Sequence, residues 1–255
     1  TRAVSGVDLR IGTGERVAIV GQNGSGKSTL VRQFNGLLRP TSGTVAVGGE
    51  QIGARHVAEI AREVGLVFQD PDRQIFAGTV RDEVSFGARN VGLRGAGLDE
   101  SVATALEAVG LTRAEATNPY DLGFSGRKLL ALASVLSMGT PIVILDEPTT
   151  GQDARGIARV RAIVDDLAAT GRTVIAVSHD LRFVAEAFER VVVMRAGSVV
   201  LDGTPAEVFA ASEWPTLALT YLEPPLPARV GDVLGLGPTP TTADLVAALG
   251  AATPR

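Results

Sequence analysis

The chain has 255 residues, 45% of them hydrophobic, with 28 acidic against 24 basic residues and a formal net charge of −4. That is enough apolar material for a real core, in one large domain or in one domain with an appendage, and the scattered charge argues against nucleic-acid binding through a broad basic face. The lack of cysteine excludes disulfides and thiolate chemistry and suits a reducing compartment.

No secretory signal pattern opens the sequence. The longest apolar run, 129–138, is half of what a bilayer span of about 20 residues needs. The expectation is a soluble chain whose work at a membrane, if it has any, depends on another subunit. With no initial methionine and a start almost inside a strand, the sequence is expected to continue upstream.

In chain order, short apolar runs alternate with amphipathic stretches, the sign of a parallel α/β sheet. Strands are expected at 16–20, 65–68, 141–145, 173–177 and 191–194. Four of these are rich in Val or Ile and nearly continuous in apolar residues, as strands buried on both faces should be. A more exposed, hairpin-like strand at 44–47 runs into Gly48-Gly49. Helices are expected at 27–38, 79–91, 99–109, 127–138, 154–169 and 181–188. Gly110 and Gly171 stand where helix C-caps belong, and Pro205 opens a short helix as an N1 proline. After Ala211 the composition turns to proline and glycine and closes with an amphipathic helix, which reads as a small C-terminal appendage. No internal repeat is visible.

The strongest signal is "VAIVGQNGSGKSTLV". Gly21 and Gly26, followed by Lys27-Ser28, satisfy G-x-x-x-x-G-K-[ST], with an apolar strand leading in and a helix leading out. Glycines let backbone N–H groups turn inward around phosphates where a side chain would block the approach, and the helix N-terminus adds its partial positive charge. Lys27 is expected to reach the β- and γ-phosphates and Ser28 to ligate Mg²⁺.

"PIVILDEPTTG" ends a buried strand in two carboxylates. Asp146 stands where P-loop proteins place a Mg²⁺-supporting aspartate, and Glu147 can polarise an attacking water as a general base. Ordinary solvation of two acids at a strand end is the bland alternative, and the phosphate loop weighs against it. His179 follows the buried strand "TVIAVSHD" and could touch a γ-phosphate or serve structure alone. The consecutive Ser178-His179-Asp180 cannot form a hydrolytic triad from spacing alone. His56 receives no role. Gln69 also ends a strand, where it could ligate Mg²⁺ or position water.

Phosphate loop, Gln69, a glycine–serine helix mouth at 122–126, Asp146-Glu147 and then His179, in that order, resemble the ATP-binding-cassette ATPases over about residues 1–211. The stretch "VFQDPDRQIFAGTVRDEVSFG" is similar to the segment after the Q-loop in energy-coupling-factor importer ATPases, the cobalt, nickel and vitamin uptake group. The tail up to "TPTTADLVAAL" is similar to their C-terminal extension.

The resemblance implies an α/β P-loop NTPase cassette with a mostly parallel central sheet, a small antiparallel β region, a helical subdomain at about 70–138, and a short extension, 212–255, that aids dimerisation. It implies ATP binding by Gly21, Gln22, Asn23, Gly24, Ser25, Gly26, Lys27, Ser28 and Thr29. Mg²⁺ falls to Ser28, Asp146 and Gln69, catalysis to Glu147, His179 and Gln69, and a D-loop to Asp153. The family's adenine-stacking aromatic residue would lie upstream of Thr1. Such ATPases form head-to-tail dimers with a second ABC ATPase subunit, each ATP being closed over by the partner's signature motif, usually LSGGQ. They act with a transmembrane coupling subunit and a substrate-binding membrane subunit, peripherally on the cytoplasmic face of the membrane, and not on nucleic acid. The candidate docking surface is 72–84, with Phe76 either an apolar anchor or ordinary core.

Counting back without gaps from "LDEPT" places Leu122, Gly123, Phe124, Ser125 and Gly126 where LSGGQ belongs. Gly123 has no hydroxyl, and Phe124 adds bulk where close backbone approach is expected. Ser125 could substitute if the helix starts later, and Arg127-Lys128 could contribute charge. Gln152 stands where the D-loop usually has leucine. A homodimer would carry the altered motif in both sites and a heterodimer in only one, so the heterodimer is the economical reading. The importer ATPase leads. A regulatory or weakly hydrolysing partner subunit is the alternative, and a DNA-repair or translation cassette is disfavoured by the absence of long insertions.

Overall fold

The computed structural model describes residues 3–252. Six strands, β1 (Arg16–Val20), β4 (Val64–Val67), β5 (Ile142–Asp146), β6 (Thr173–Val177), β7 (Arg190–Arg195) and β8 (Ser198–Gly203), are ordered β4-β5-β6-β1-β7-β8. Pairing is parallel between β1 and β7, from Val17 opposite Arg190 to Val20 opposite Val193, and between β4 and β5, from Val64 opposite Ile142 to Val67 opposite Leu145. β8 returns antiparallel to β7. Every residue of β6, and all but the first of β1 and β5, is buried, which is why these runs are apolar without alternation. A separate hairpin joins β2 (Ala46–Val47) to β3 (Glu50–Gln51) across Gly48 and Gly49, whose φ of 60° and 85° suit a two-residue hairpin turn.

The helices are α1 (Lys27–Phe34), α2 (Val57–Ile60), α3 (Val80–Asn90), α4 (Gly95–Val109), α5 (Phe124–Leu136), α6 (Ala154–Ala169), α7 (Leu181–Ala187), α8 (Pro205–Val208), α9 (Trp214–Ala218), α10 (Leu226–Val233) and α11 (Thr242–Ala252). α6 has the expected bounds, with Asp153 as its N-cap. Gly110 caps α4 in the left-handed conformation, and Pro205 opens α8 behind a Thr204–Glu207 capping box.

Elsewhere the expectations shift for identifiable reasons. α1 ends at Phe34 rather than 38, because Gly36 turns left-handed (φ 75°) against the Ile60 side chain. α4 and α5 begin earlier than 99 and 127, at Gly95 and Phe124, so that Gly97 and Gly126 lie inside them. β8 was not foreseen. It is partly exposed, so it has no continuous apolar run, and only the tight turn at Ala196-Gly197 (φ 47° and 85°) signals it.

By internal packing the chain divides into two compact units: residues up to 29 together with 176 onward, and residues 30–175. In the first, Val17–Val20 and Val191–Met194 are fully buried, joined by Phe183 and Phe188, whose rings meet edge to face at 5.6 Å. Burying each such side chain contributes about 1.5–3 kcal/mol. The C-terminal helices α9 to α11 belong to this unit, pinned by Trp214 Nε1 donating to Phe209 O (3.0 Å) and Thr239 Oγ1 to Pro227 O (2.8 Å).

The second unit packs α3, α4 and α5 around Val84, Ala88, Val102, Leu106 and Leu130. Hydroxyls tie these three helices together. Ser137 Oγ donates to Val84 O (2.7 Å), and Ser101 Oγ to Ser137 O (2.6 Å).

Candidate functional site

In the first unit, residues 21–26 turn between the end of β1 and the start of α1. Gly21, Gly24 and Gly26 take φ of 149°, 79° and 103°. A Cβ on Gly21 would lie 2.3 Å from Met194 O, and one on Gly26 would lie 2.4 Å from Ala3 O. Both neighbours are backbone and cannot yield, so only glycine fits. The loop is held by Ser25 N donating to Gln22 O (3.1 Å) and Gly197 N to Ser25 O (2.9 Å).

Asn23 and Gly24 form its exposed tip, Gln22, Ser28 and Thr29 are half-buried, and Lys27 is buried. Lys27 folds its Nζ onto Gly21 O (2.6 Å) and Gln22 O (3.0 Å), while the buried Ser25 hydroxyl has no hydrogen-bond partner. A glycine-only turn, a cation held at its mouth, an orphaned hydroxyl and a following helix N-terminus fit a polyphosphate. His179, in the same unit, is exposed between buried Ser178, whose N–H donates to Ile19 O (3.2 Å), and Asp180, which caps α7 through Phe183 N (3.0 Å).

In the second unit, Asp146 and Glu147 close β5 and are buried to 2% and 5% exposure. Glu147 takes a φ of 53°, a left-handed conformation that costs a non-glycine residue about 1–2 kcal/mol. Its carbonyl accepts a hydrogen bond from Lys128 Nζ on α5. Burial pulls the Lys128 ammonium below the ordinary lysine range, opposed by the charges of Glu147 and Asp146. Lys128 was not anticipated in this place, although the cationic pair Arg127-Lys128 opening an apolar run was a signal for it.

α5 begins at Phe124 with Gly123 as N-cap and no side-chain cap. The condition under which Ser125 could replace the missing hydroxyl, a later helix start, is therefore not met. Ser125 Oγ donates to Gln152 Oε1 (2.6 Å), and Gln152 Nε2 donates back to Ser125 O (3.1 Å). The Phe124 ring lies against Gly151, where an added Cβ would stand 2.6 Å from ring atom Cε1. The two departures seen in the sequence, at 123–125 and at 152, thus touch one another.

Arg127 donates from Nη1 to Leu122 O (2.7 Å) and holds Asp72 at 2.9 Å. The charge expected at the helix mouth from Arg127-Lys128 is spent inside the chain. Asp153 accepts from Gly156 N (2.8 Å).

Gln69 is exposed just beyond β4. Its loop is anchored by Gln74, which sequence reasoning missed: Gln74 Oε1 accepts from Phe68 N (3.1 Å), and Nε2 donates to Ala131 O (2.8 Å) and Ser134 Oγ (2.9 Å). Buried Glu83 likewise accepts from Phe76 N (3.0 Å) and Ala77 N (2.8 Å). This fixes an exposed loop whose Phe76, 61% accessible, meets Phe86 edge to face at 4.7 Å. Phe76 is therefore surface, not core. With Leu37, Val57, Phe68 and Met138 these rings line an apolar groove of about 520 Å³.

Residues 4–150 match the protein family described as ABC transporter. Over 215 residues the chain is 40% identical to the energy-coupling factor transporter ATP-binding protein EcfA of Methanothermobacter thermautotrophicus, spanning 84% of this chain and 69% of that one. Among solved structures it is similar to cbiO1 of Clostridium perfringens, part of the ABC transporter complex cbiONQ, with a TM-score of 0.75 and 36% identity across 91% of this chain and 92% of that one. It is also similar to the ATP-binding cassette MJ0796 in a dimeric post-hydrolysis state bound to ADP and Pi, with a TM-score of 0.72 and 25% identity across 79% and 90%.

Proposed function

This chain belongs to the ABC transporter family, as an ATPase whose hydrolysis is coupled to transport, and from that premise we propose that it powers an energy-coupling-factor type importer of a vitamin or transition-metal ion. The observation that carries the narrower reading is the 40% identity to an EcfA protein. The likeness to cbiO1 supports it.

In this reading residues 21–29 cradle the phosphates of ATP, with Lys27 neutralising β- and γ-oxygens. Ser28, Asp146 and Gln69 hold Mg²⁺, which when bound balances charge building on the phosphoryl oxygens. Glu147 orients water toward the γ-phosphorus and accepts its proton, and Gln69 and His179 attend the same phosphate. Residues 122–126 and Asp153 serve the nucleotide of a second ATPase subunit in a head-to-tail dimer. The altered 122–126 segment favours a heterodimer over a homodimer.

Residues 1–211 form the cassette, with 70–138 its helical subdomain, and 212–255 an extension for dimerisation. Thr1, Arg2 and residues 253–255 of these spans lie outside the described residues. Among the described residues no helix is long and apolar enough to cross a membrane, so the proposal assigns the crossing to a coupling subunit and a substrate-binding subunit. The apolar groove beside Phe76 receives the coupling subunit, with this chain peripheral on the cytoplasmic face.

A second reading, a weakly hydrolysing regulatory partner, is favoured by the Ser125–Gln152 lock. The deciding experiment is ATP hydrolysis by the purified chain against its concentration, with Glu147→Gln as the blank. Turnover that rises faster than linearly and falls about a hundredfold or more in the variant means a working homodimer. ATP binding with negligible turnover at every concentration means that a partner's signature motif is required.

A further inference from the structure

Three contacts fasten the first turns of α5 to the turn that follows β5, all within residues 30–175. Lys128 Nζ donates to Glu147 O, the Phe124 ring covers Gly151, and Ser125 and Gln152 exchange hydrogen bonds. The Lys128 ammonium also stands 6.0 Å from the Phe124 ring centroid. At 4% exposure this lysine cannot present its charge outward to an anion at the helix mouth. A buried ammonium needs acceptors to offset lost hydration, and here it donates to the carbonyl of Glu147, whose backbone is left-handed at φ 53°.

Resting on the reading that Glu147 polarises the attacking water, we propose that Lys128 is a positioning residue for the hydrolytic reaction. It pins the Glu147 main chain in its left-handed conformation and so ties the direction of that carboxylate to the mouth of α5. A base must be held within a fraction of an ångström of its productive place, and a strained backbone keeps its place only where its surroundings over-determine it. Because the same first turns carry Phe124 and Ser125, a shift of the α5 mouth moves the Glu147 carbonyl with it. The helix start assigned to a partner's nucleotide is thereby linked to this chain's own base.

The test compares the whole chain with Lys128→Met, Lys128→Arg and Glu147→Gln by ATP titration, turnover and amide hydrogen exchange. Lys128→Met is expected to lower kcat about tenfold to a hundredfold, with ATP binding and KM within about twofold of wild type. It should also speed exchange across 147–150, and Lys128→Arg, which keeps a cation and donors, should restore both. Turnover within twofold of wild type together with unchanged exchange in Lys128→Met overturns the proposal. So does a loss of ATP binding in step with turnover, which marks a merely structural lysine. If the wild-type chain alone does not turn over, the exchange arm decides in the same two directions. If Glu147→Gln hydrolyses like wild type, the assignment of the base fails, while exchange across 147–150 still reads whether Lys128 holds that backbone.

Discussion

At the start of α1 a methyl group on Gly21 or Gly26 would meet backbone oxygens at 2.3 and 2.4 Å, whereas at the start of α5 a methyl group on Gly123 would meet nothing within 4 Å. Both helix starts carry glycine and serine before a cationic residue, yet the pressures on them differ. Around Gly21 and Gly26 the chain itself forbids any other residue. At Gly123, with φ −59° and ψ 167°, any residue could stand, so what selects glycine there is not this chain's own packing. The comparison teaches that a glycine-rich helix start is evidence of an internal cradle only when its Cβ space is already filled.

The sharpest way to break the comparison is Gly26→Ala. The backbone clash and the φ of 103° should destabilise the chain by about 1–3 kcal/mol, and ATP affinity should fall at least about tenfold. Thermal melting and a nucleotide titration check both. A silent variant would show that the loop is not held as described.

Next come Ser125→Ala and Gln152→Leu, each expected to cost about 1 kcal/mol. Their double mutant should fall short of additivity by about 0.5–1.5 kcal/mol. Urea unfolding of the four proteins reads the coupling, and additivity would mean that the two departures are independent.

Phe124→Ala should cost less, roughly 0.5–1 kcal/mol, because the ring is 42% exposed. The same change should make Gly151→Ala better tolerated than in the parent, which paired melting curves test.

The smallest effect is a gain. Gly123→Ser puts a hydroxyl at an uncapped N-cap in a suitable backbone conformation, worth a few tenths of a kcal/mol. A marked loss of stability would show that the open space at Gly123 is filled in solution.

Most of the sheet was legible because strands buried on both faces are nearly continuous in apolar residues, as β1, β5 and β6 are between their ends. β8 was not, because a partly exposed strand needs no such run. The phosphate loop could be read residue by residue, since glycine, lysine and hydroxyl at fixed spacing carry their own stereochemical reason. The α5 mouth could not. Its helix starts at Phe124 rather than at 127, with Gly126 inside it, and Arg127 and Lys128 turn inward to Asp72 and Glu147 O rather than outward. Gln74 and Glu83, the anchors of the loops that carry Gln69 and Phe76, had no local signal, because each acts on N–H groups of a separate turn and, for Gln74, on a helix far along the chain.

By itself, then, the sequence determined the α/β alternation, the glycine-only phosphate loop and the paired carboxylates that end β5. These depend on side-chain volume, periodicity and φ, all of which are local. Only the tertiary structure decided that Ser125 meets Gln152, that Phe124 lies on Gly151, and that a buried lysine holds the backbone of Glu147. Those contacts join residues about twenty to thirty positions apart, and their partners are chosen by which faces pack together rather than by any neighbour in the chain.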